Sequence, residues 1–271
     1  MVQPVKRKLW LVFGMIILAA SILACGTTAT PLPATNTPNL APTEALTPTF
    51  TPIPLAQVVN LVANPTSETG ANPAYTVQAD TPFLQRSEDQ RVIKFNNEMT
   101  LLTQEEVAKF KDNVAQTQSI QGGAGSSYIQ QYKLLSPPGN LLSLKFSIMI
   151  YIEGSAHPGT HTRTVTYDLE AGSDVSLAQL FVSGSDYLTP IANYCIAQLK
   201  TRNIGFEAFA SGADPIPANY GSWNITPQGL MITFDEYQVA AYAAGAQEVV
   251  VPYTELQSVI DPHGPLAGFL P

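Results

Sequence analysis

Histidine, cysteine and charge are all scarce in this chain. Its 271 residues include 3 histidines, 2 cysteines and 2 tryptophans, and only 13% are charged. Two cysteines, one of them directly after a leader segment, cannot build a disulfide framework. No G-x-S-x-G is present, which removes the usual signature of a serine hydrolase. The run Gly122-Gly123-Ala124-Gly125 lacks the lysine and the following helix that a phosphate loop needs. Basic residues number 13 against 21 acidic ones, a net charge of −8, and this balance argues against nucleic acid as a partner. A single long apolar run, Leu9 to Ala24, falls short of the about 20 residues that span a bilayer as a helix. From these absences no catalytic centre, no bound metal and no cofactor is expected.

The N-terminus carries more information. Lys6, Arg7 and Lys8 precede the apolar run, and Ile22-Leu23-Ala24-Cys25 closes it. A charged head, a short apolar stretch and small residues before a cut are the layout of a secretory signal. The last four residues resemble a bacterial lipobox, although Leu23 is bulkier than the usual residue there. The expectation is a lipoprotein signal peptide over residues 1–24, with Cys25 acylated and the remainder outside the cytoplasm, tethered to the membrane by lipid. An uncleaved signal anchor is the alternative. Without the three leader cations, 10 basic residues face 21 acidic ones, a charge near −11 that suits a cationic ligand. Residues 25–73 follow as a linker rich in Thr-Pro and Pro-x-Pro, in which only Glu44 and Glu68 are charged. Such a chain favours extended polyproline conformations and cannot bury enough apolar surface to order itself. With eight residues ahead of the apolar run and only a short tail after the folded part, neither a cytoplasmic binding segment nor an appended enzyme domain is expected.

Order is expected from Tyr75 onward. Leu142, Leu144, Phe146, Ile148, Ile150 and Ile152 alternate along one strand and share one face. Gly154, Pro158 and Gly159 turn the chain, and a threonine-rich strand returns through Leu169. Ser176 is placed to cap a short helix over Leu177 to Phe181. Earlier, Tyr75 to Ala79 reads as a strand, and Val92, Phe95, Met99 and Leu102 fit one helix. Thr103 with Glu106 forms a capping-box pattern for a second helix through Val114, and Tyr128 to Leu135 reads as a strand that Pro137-Pro138 turns into the hairpin. Later, Thr189-Pro190 opens a helix that buries Ile191, Cys195 and Leu199, with Cys195 as a small core residue. Trp223–Thr226 and Leu230–Phe234 form a hairpin, Glu248–Val251 a last strand, and Tyr253–Ile260 a short helix. The fold class is α+β: helices packed on an antiparallel or mixed sheet, divided into subdomains over residues 74–176 and 177–260, with an irregular tail over 261–271.

Few residues offer chemistry. His157 and His161 have the H-x-x-x-H spacing of a helical zinc site, but Pro158 and Gly159 forbid the helix that gives the spacing its meaning. Thr233-Phe234-Asp235-Glu236 is partly like the strand end of metal-dependent carbohydrate deacetylases. There the aspartate motif precedes the histidines, and here it follows them. A diverged envelope hydrolase using His157, His161 and Asp235 is therefore the lesser reading. Asp168 and Asp174 read as solvated turn carboxylates. Tyr237, Tyr242 and Tyr253 cluster late in the chain, and as loop aromatics Tyr237 and Tyr242, with His157, suit contact with a glycan or protein.

Two stretches carry a resemblance. Ser155-Ala-His-Pro followed by TYDLEAGSDVSLAQLF, together with ITPQGLMITFDEYQVAAYAAGAQEVVVPYTEL, resembles a pair of adjoining extracytoplasmic domains of unknown function. Such domains occur in the anti-sigma-V factor that senses lysozyme, and ahead of the catalytic domain of a peptidoglycan N-acetylglucosamine deacetylase. The resemblance runs from Tyr75 to Ile260 and implies a binding part without catalysis. Its implied ligands are a cationic, lysozyme-like protein or peptidoglycan; neither anti-sigma signalling nor deacetylation is expected to carry over.

Overall fold

The computed structural model describes residues 59–269 apart from 86, 87, 119, 121, 137 and 138. The leader, Cys25, the linker up to residue 58 and the Pro137-Pro138 turn lie outside the described residues. The fold is α+β. A six-stranded sheet takes strands in chain order: β1 (Asn60–Ala71), β2 (Ala74–Gln85), β3 (Ser126–Leu134), β4 (Leu141–Tyr151), β5 (Gly159–Asp168) and the two-residue β6 (Ser173–Asp174). Only β2 and β3 run parallel, and the helix α1 (Gln90–Ala115) makes the crossover that a parallel pair requires. A second, three-stranded antiparallel sheet holds β7 (Trp223–Thr226), β8 (Gly229–Phe234) and β9 (Gln247–Val251), with α2 (Leu188–Lys200) and α3 (Tyr253–Leu256) against it.

Alternation in β4 sends Leu142, Leu144, Phe146 and Ile148 beneath α1, where they meet Phe95, Met99, Phe110 and Val114. Tyr128 and Tyr167 complete this core; Phe95 packs edge-on against Tyr167 at 5.1 Å. A second apolar cluster joins Ile191, Cys195 and Leu199 of α2 to Ile225, Leu230, Ile232, Phe234 and Val251. Burial pushes the Cys195 thiol up to about 12, as befits a core residue with no redox duty.

Several expectations need correction. The segment from Asn60 to Ala71, read as linker, is a full strand paired with β2 along twelve residues. Its side chains are mostly exposed, so it shows no apolar alternation, and Pro65 is tolerated because β1 is an edge. One helix, not two, spans residues 90–115. Thr103 is no cap: its hydroxyl accepts hydrogen bonds from Thr81 (3.0 Å) and Gln130 (3.0 Å) within the buried face. Asp89 caps that helix through the backbone N–H of Arg91 at 2.8 Å. The later helix begins at Leu188, one residue ahead of Thr189. The tail keeps little regular structure, a single helical turn over Ala267–Phe269, yet it packs: Leu266 is fully buried, and Phe269 sits 5.1 Å from the Tyr253 ring. Ser176 does cap its helical turn, with Gln179 Oε1 accepting from both its N–H and its hydroxyl.

Candidate functional site

The loop after β8 holds an unusual backbone. Tyr237 is the only non-glycine residue with positive φ (+67°) among the described residues. A tyrosine in this region is strained and persists only where its surroundings over-determine it. Gln238 supplies that constraint. Its amide nitrogen donates to Gly212 O and Asn219 O, each at 3.0 Å, and its oxygen accepts from Asp235 N–H at 3.1 Å. A side chain at Gly212 would meet Gln238 O at 1.8 Å, so only glycine allows this approach. The result pins the backbone while leaving Tyr237 57% exposed.

From that ring a stack of three aromatics runs outward. Tyr237 lies 5.7 Å from Tyr242 with planes 29° apart, and Tyr242 lies 3.9 Å from His157 with planes 26° apart. The Tyr242 hydroxyl donates to Pro158 O at 2.8 Å, and His157 Nδ1 lies 2.9 Å from the same carbonyl. Since that oxygen only accepts, Nδ1 carries the proton in this contact. The structure thus brings His157, Tyr237 and Tyr242 together, with the Tyr242 hydroxyl reaching Pro158 across 84 residues of sequence. Tyr253 is elsewhere, buried in the second core and bonded to Thr226 O.

The residues of the lesser, hydrolytic reading do not converge. His161 faces α1, with Nε2 3.5 Å from Glu106, whose buried carboxylate also pairs with Arg163 (3.3 Å) and Lys109 (3.0 Å). Asp235 Oδ1 instead accepts from Thr162 N–H (3.0 Å), and Glu236 Oε2 from Thr160 N–H (3.1 Å). Both carboxylates therefore cap the outer edge of β5, where no neighbouring strand reaches. No group of three His, Cys, Asp or Glu side chains that could hold a metal occurs among the described residues. No helix among them is long and apolar enough to cross a membrane. These edge caps were not visible in the sequence, since 73 and 76 residues separate donors from acceptors.

A two-sheet α+β body with a fixed aromatic loop is the class of protein these observations define. Residues 178–254 match the family described as a protein of unknown function (DUF3298), a span that includes Tyr237 and Tyr242 but not His157. The peptidoglycan-N-acetylmuramic acid deacetylase PdaC of Bacillus subtilis (strain 168) is 22% identical over 170 residues, which are 62% of this chain and 36% of the deacetylase. The chain therefore spans about a third of that relative, which is named for a muramic rather than a glucosamine sugar. Two crystal structures of DUF3298 family members share the fold. One, from Bacteroides fragilis NCTC 9343, has a TM-score of 0.59 at 18% identity and covers 78% of this chain and 96% of its own. The other, from Pseudomonas aeruginosa PAO1, has a TM-score of 0.53 at 15% identity, with 75% and 94% covered.

Proposed function

We propose that the protein is a lipid-anchored, extracytoplasmic, non-catalytic binding module of the cell envelope. Its ligand is a component of that envelope, a wall glycan or a cationic protein. The observation that carries the reading is the surface stack of exposed Tyr237, half-buried Tyr242 and exposed His157, held by a strained and over-determined backbone at Tyr237. Flat aromatic faces kept in the open at a conformational cost suit contact with a partner. The lipobox at Cys25, the signal layout and the likeness to part of a wall deacetylase support the location. Hydrolysis finds no such support, because His157, His161 and Asp235 are committed to three different neighbours.

The test has two arms. In cells, labelled fatty acid should attach to the natural protein and not to Cys25→Ala. With purified full-length protein, envelope glycan or a basic envelope-active protein should be retained, and Tyr242→Ala should weaken retention about tenfold. Absence of label refutes the anchor; absence of retention at low salt refutes the module; turnover abolished by His157→Ala would replace it with an enzyme.

A further inference from the structure

We infer that the aromatic stack is one end of an extended site for a linear, uncharged oligosaccharide, whose other part is the groove between the two sheets. This inference rests on the binding reading above and names its ligand class.

The groove has a volume of about 620 Å³, within the range of roughly 300–1,000 Å³ typical of ligand sites. Its floor is the face of the six-stranded sheet that points away from α1, and its wall is the second sheet, through Met231 and Glu248. Registers place Gln131 opposite Ser147 and Ser147 opposite Thr162, so an amide and two hydroxyls form a straight row across β3, β4 and β5. Strand spacing sets these groups about 4.8 Å apart. That interval is comparable to the rise per sugar of an extended β-linked glycan, and donors that also accept suit sugar hydroxyls.

Charge argues for an uncharged occupant. Lys145 and Glu248, on floor and wall, bond each other, and the remaining charges of the lining are one cation, Lys133, and one anion, Asp80. The groove is thus balanced although the chain as a whole is acidic, and it offers no selective attraction to a basic protein. Contiguity joins the two parts. Thr160, in the groove lining, lies two residues beyond Pro158, whose carbonyl holds both Tyr242 and His157. Ala246, also in the lining, follows the single helical turn Tyr242–Ala244. A pyranose has an apolar face for the rings and a rim of hydroxyls for the row.

Calorimetric titration of the full-length protein with N-acetylglucosamine oligomers, from one to six sugars, tests this. Affinity should rise with length; Tyr242→Ala should weaken the hexamer at least tenfold. Ser147→Trp and Gln131→Trp, both at exposed positions and each filling the groove, should do the same while leaving the thermal midpoint unchanged. Wild-type affinity of both tryptophan variants would overturn the inference, and so would equal affinity for every oligomer length. Retention of a basic protein without any oligosaccharide binding would overturn it while leaving the binding module intact; no ligand of any kind would remove both.

Discussion

The hairpin β4–β5 has two faces that are built on opposite principles. Toward α1 its first strand presents Leu142, Leu144, Phe146 and Ile148, an apolar surface that a well-shaped hydrophobic neighbour satisfies, while His161 and Arg163 of the second reach Glu106 at the rim. Toward the second sheet it presents a polar seam. Ser143 is fully buried there, and its hydroxyl oxygen accepts from Ile225 N–H (2.9 Å) and Asn224 Nδ2 (3.0 Å). With both lone pairs used, its proton goes to Thr166 at 3.1 Å. Asn224 also donates to Leu144 O, and Thr164 Oγ1 accepts from Trp223 N–H. The apolar face supplies stability; the seam fixes one orientation of the second sheet, because any shift leaves buried donors unmade. The groove and the stack exist only where that orientation holds.

Three substitutions sharpen the contrast. Phe146→Ala, on the apolar face, should cost the most, about 3–5 kcal/mol in urea unfolding, from lost transfer energy and the cavity left behind. A cost below about 1 kcal/mol would mean that this face is not the principal core. Ser143→Ala should cost less, about 1–3 kcal/mol, since it strands the Ile225 N–H and an Asn224 donor in the interior. If it proves neutral, the seam does not hold the second sheet in place. The smallest effect lies away from both faces. Hydrogen bonds from the Arg91 side chain, then its backbone N–H, hold the Asp89 carboxyl at about 2, down from the usual 3.8. A depressed carboxyl stabilises the fold fully above its unfolded value and loses that contribution as pH falls through the folded one. The urea midpoint should therefore decline between about pH 4 and pH 2, and Asp89→Asn should flatten that decline. An unchanged slope in the variant would assign the acid limb to other carboxylates.

What could be read from the chain follows the same division. The alternation of β4, the helical spacing of Val92, Phe95, Met99 and Leu102, and the turn between β7 and β8 are local patterns, and all three lie where the residues place them. Long-range partners overrode local signals elsewhere. Thr103 and Glu106 look like a helix start, yet Thr103 is drawn inward by Thr81 and Gln130, and Glu106 by Arg163 and Lys109. Strand β1 carries no apolar rhythm because it is held by pairing with β2 and by Glu68, which accepts from Tyr75 (2.6 Å) and Lys111 (2.6 Å). Tyr237 and Tyr242 could be picked out as loop aromatics. Their alignment with His157 depends on a hydroxyl reaching a carbonyl in a distant turn, which no spacing rule encodes.

The two carboxylates on β5 have one more effect. Thr160 and Thr162 offer their N–H groups to Glu236 and Asp235, so an incoming strand from another molecule would have to displace both acids before it could add to that side. Extension of the sheet at this border therefore meets N–H groups that are already committed. At the opposite border β1 is a mostly exposed edge, and Pro65 in its middle removes one of the N–H groups that an added strand would use.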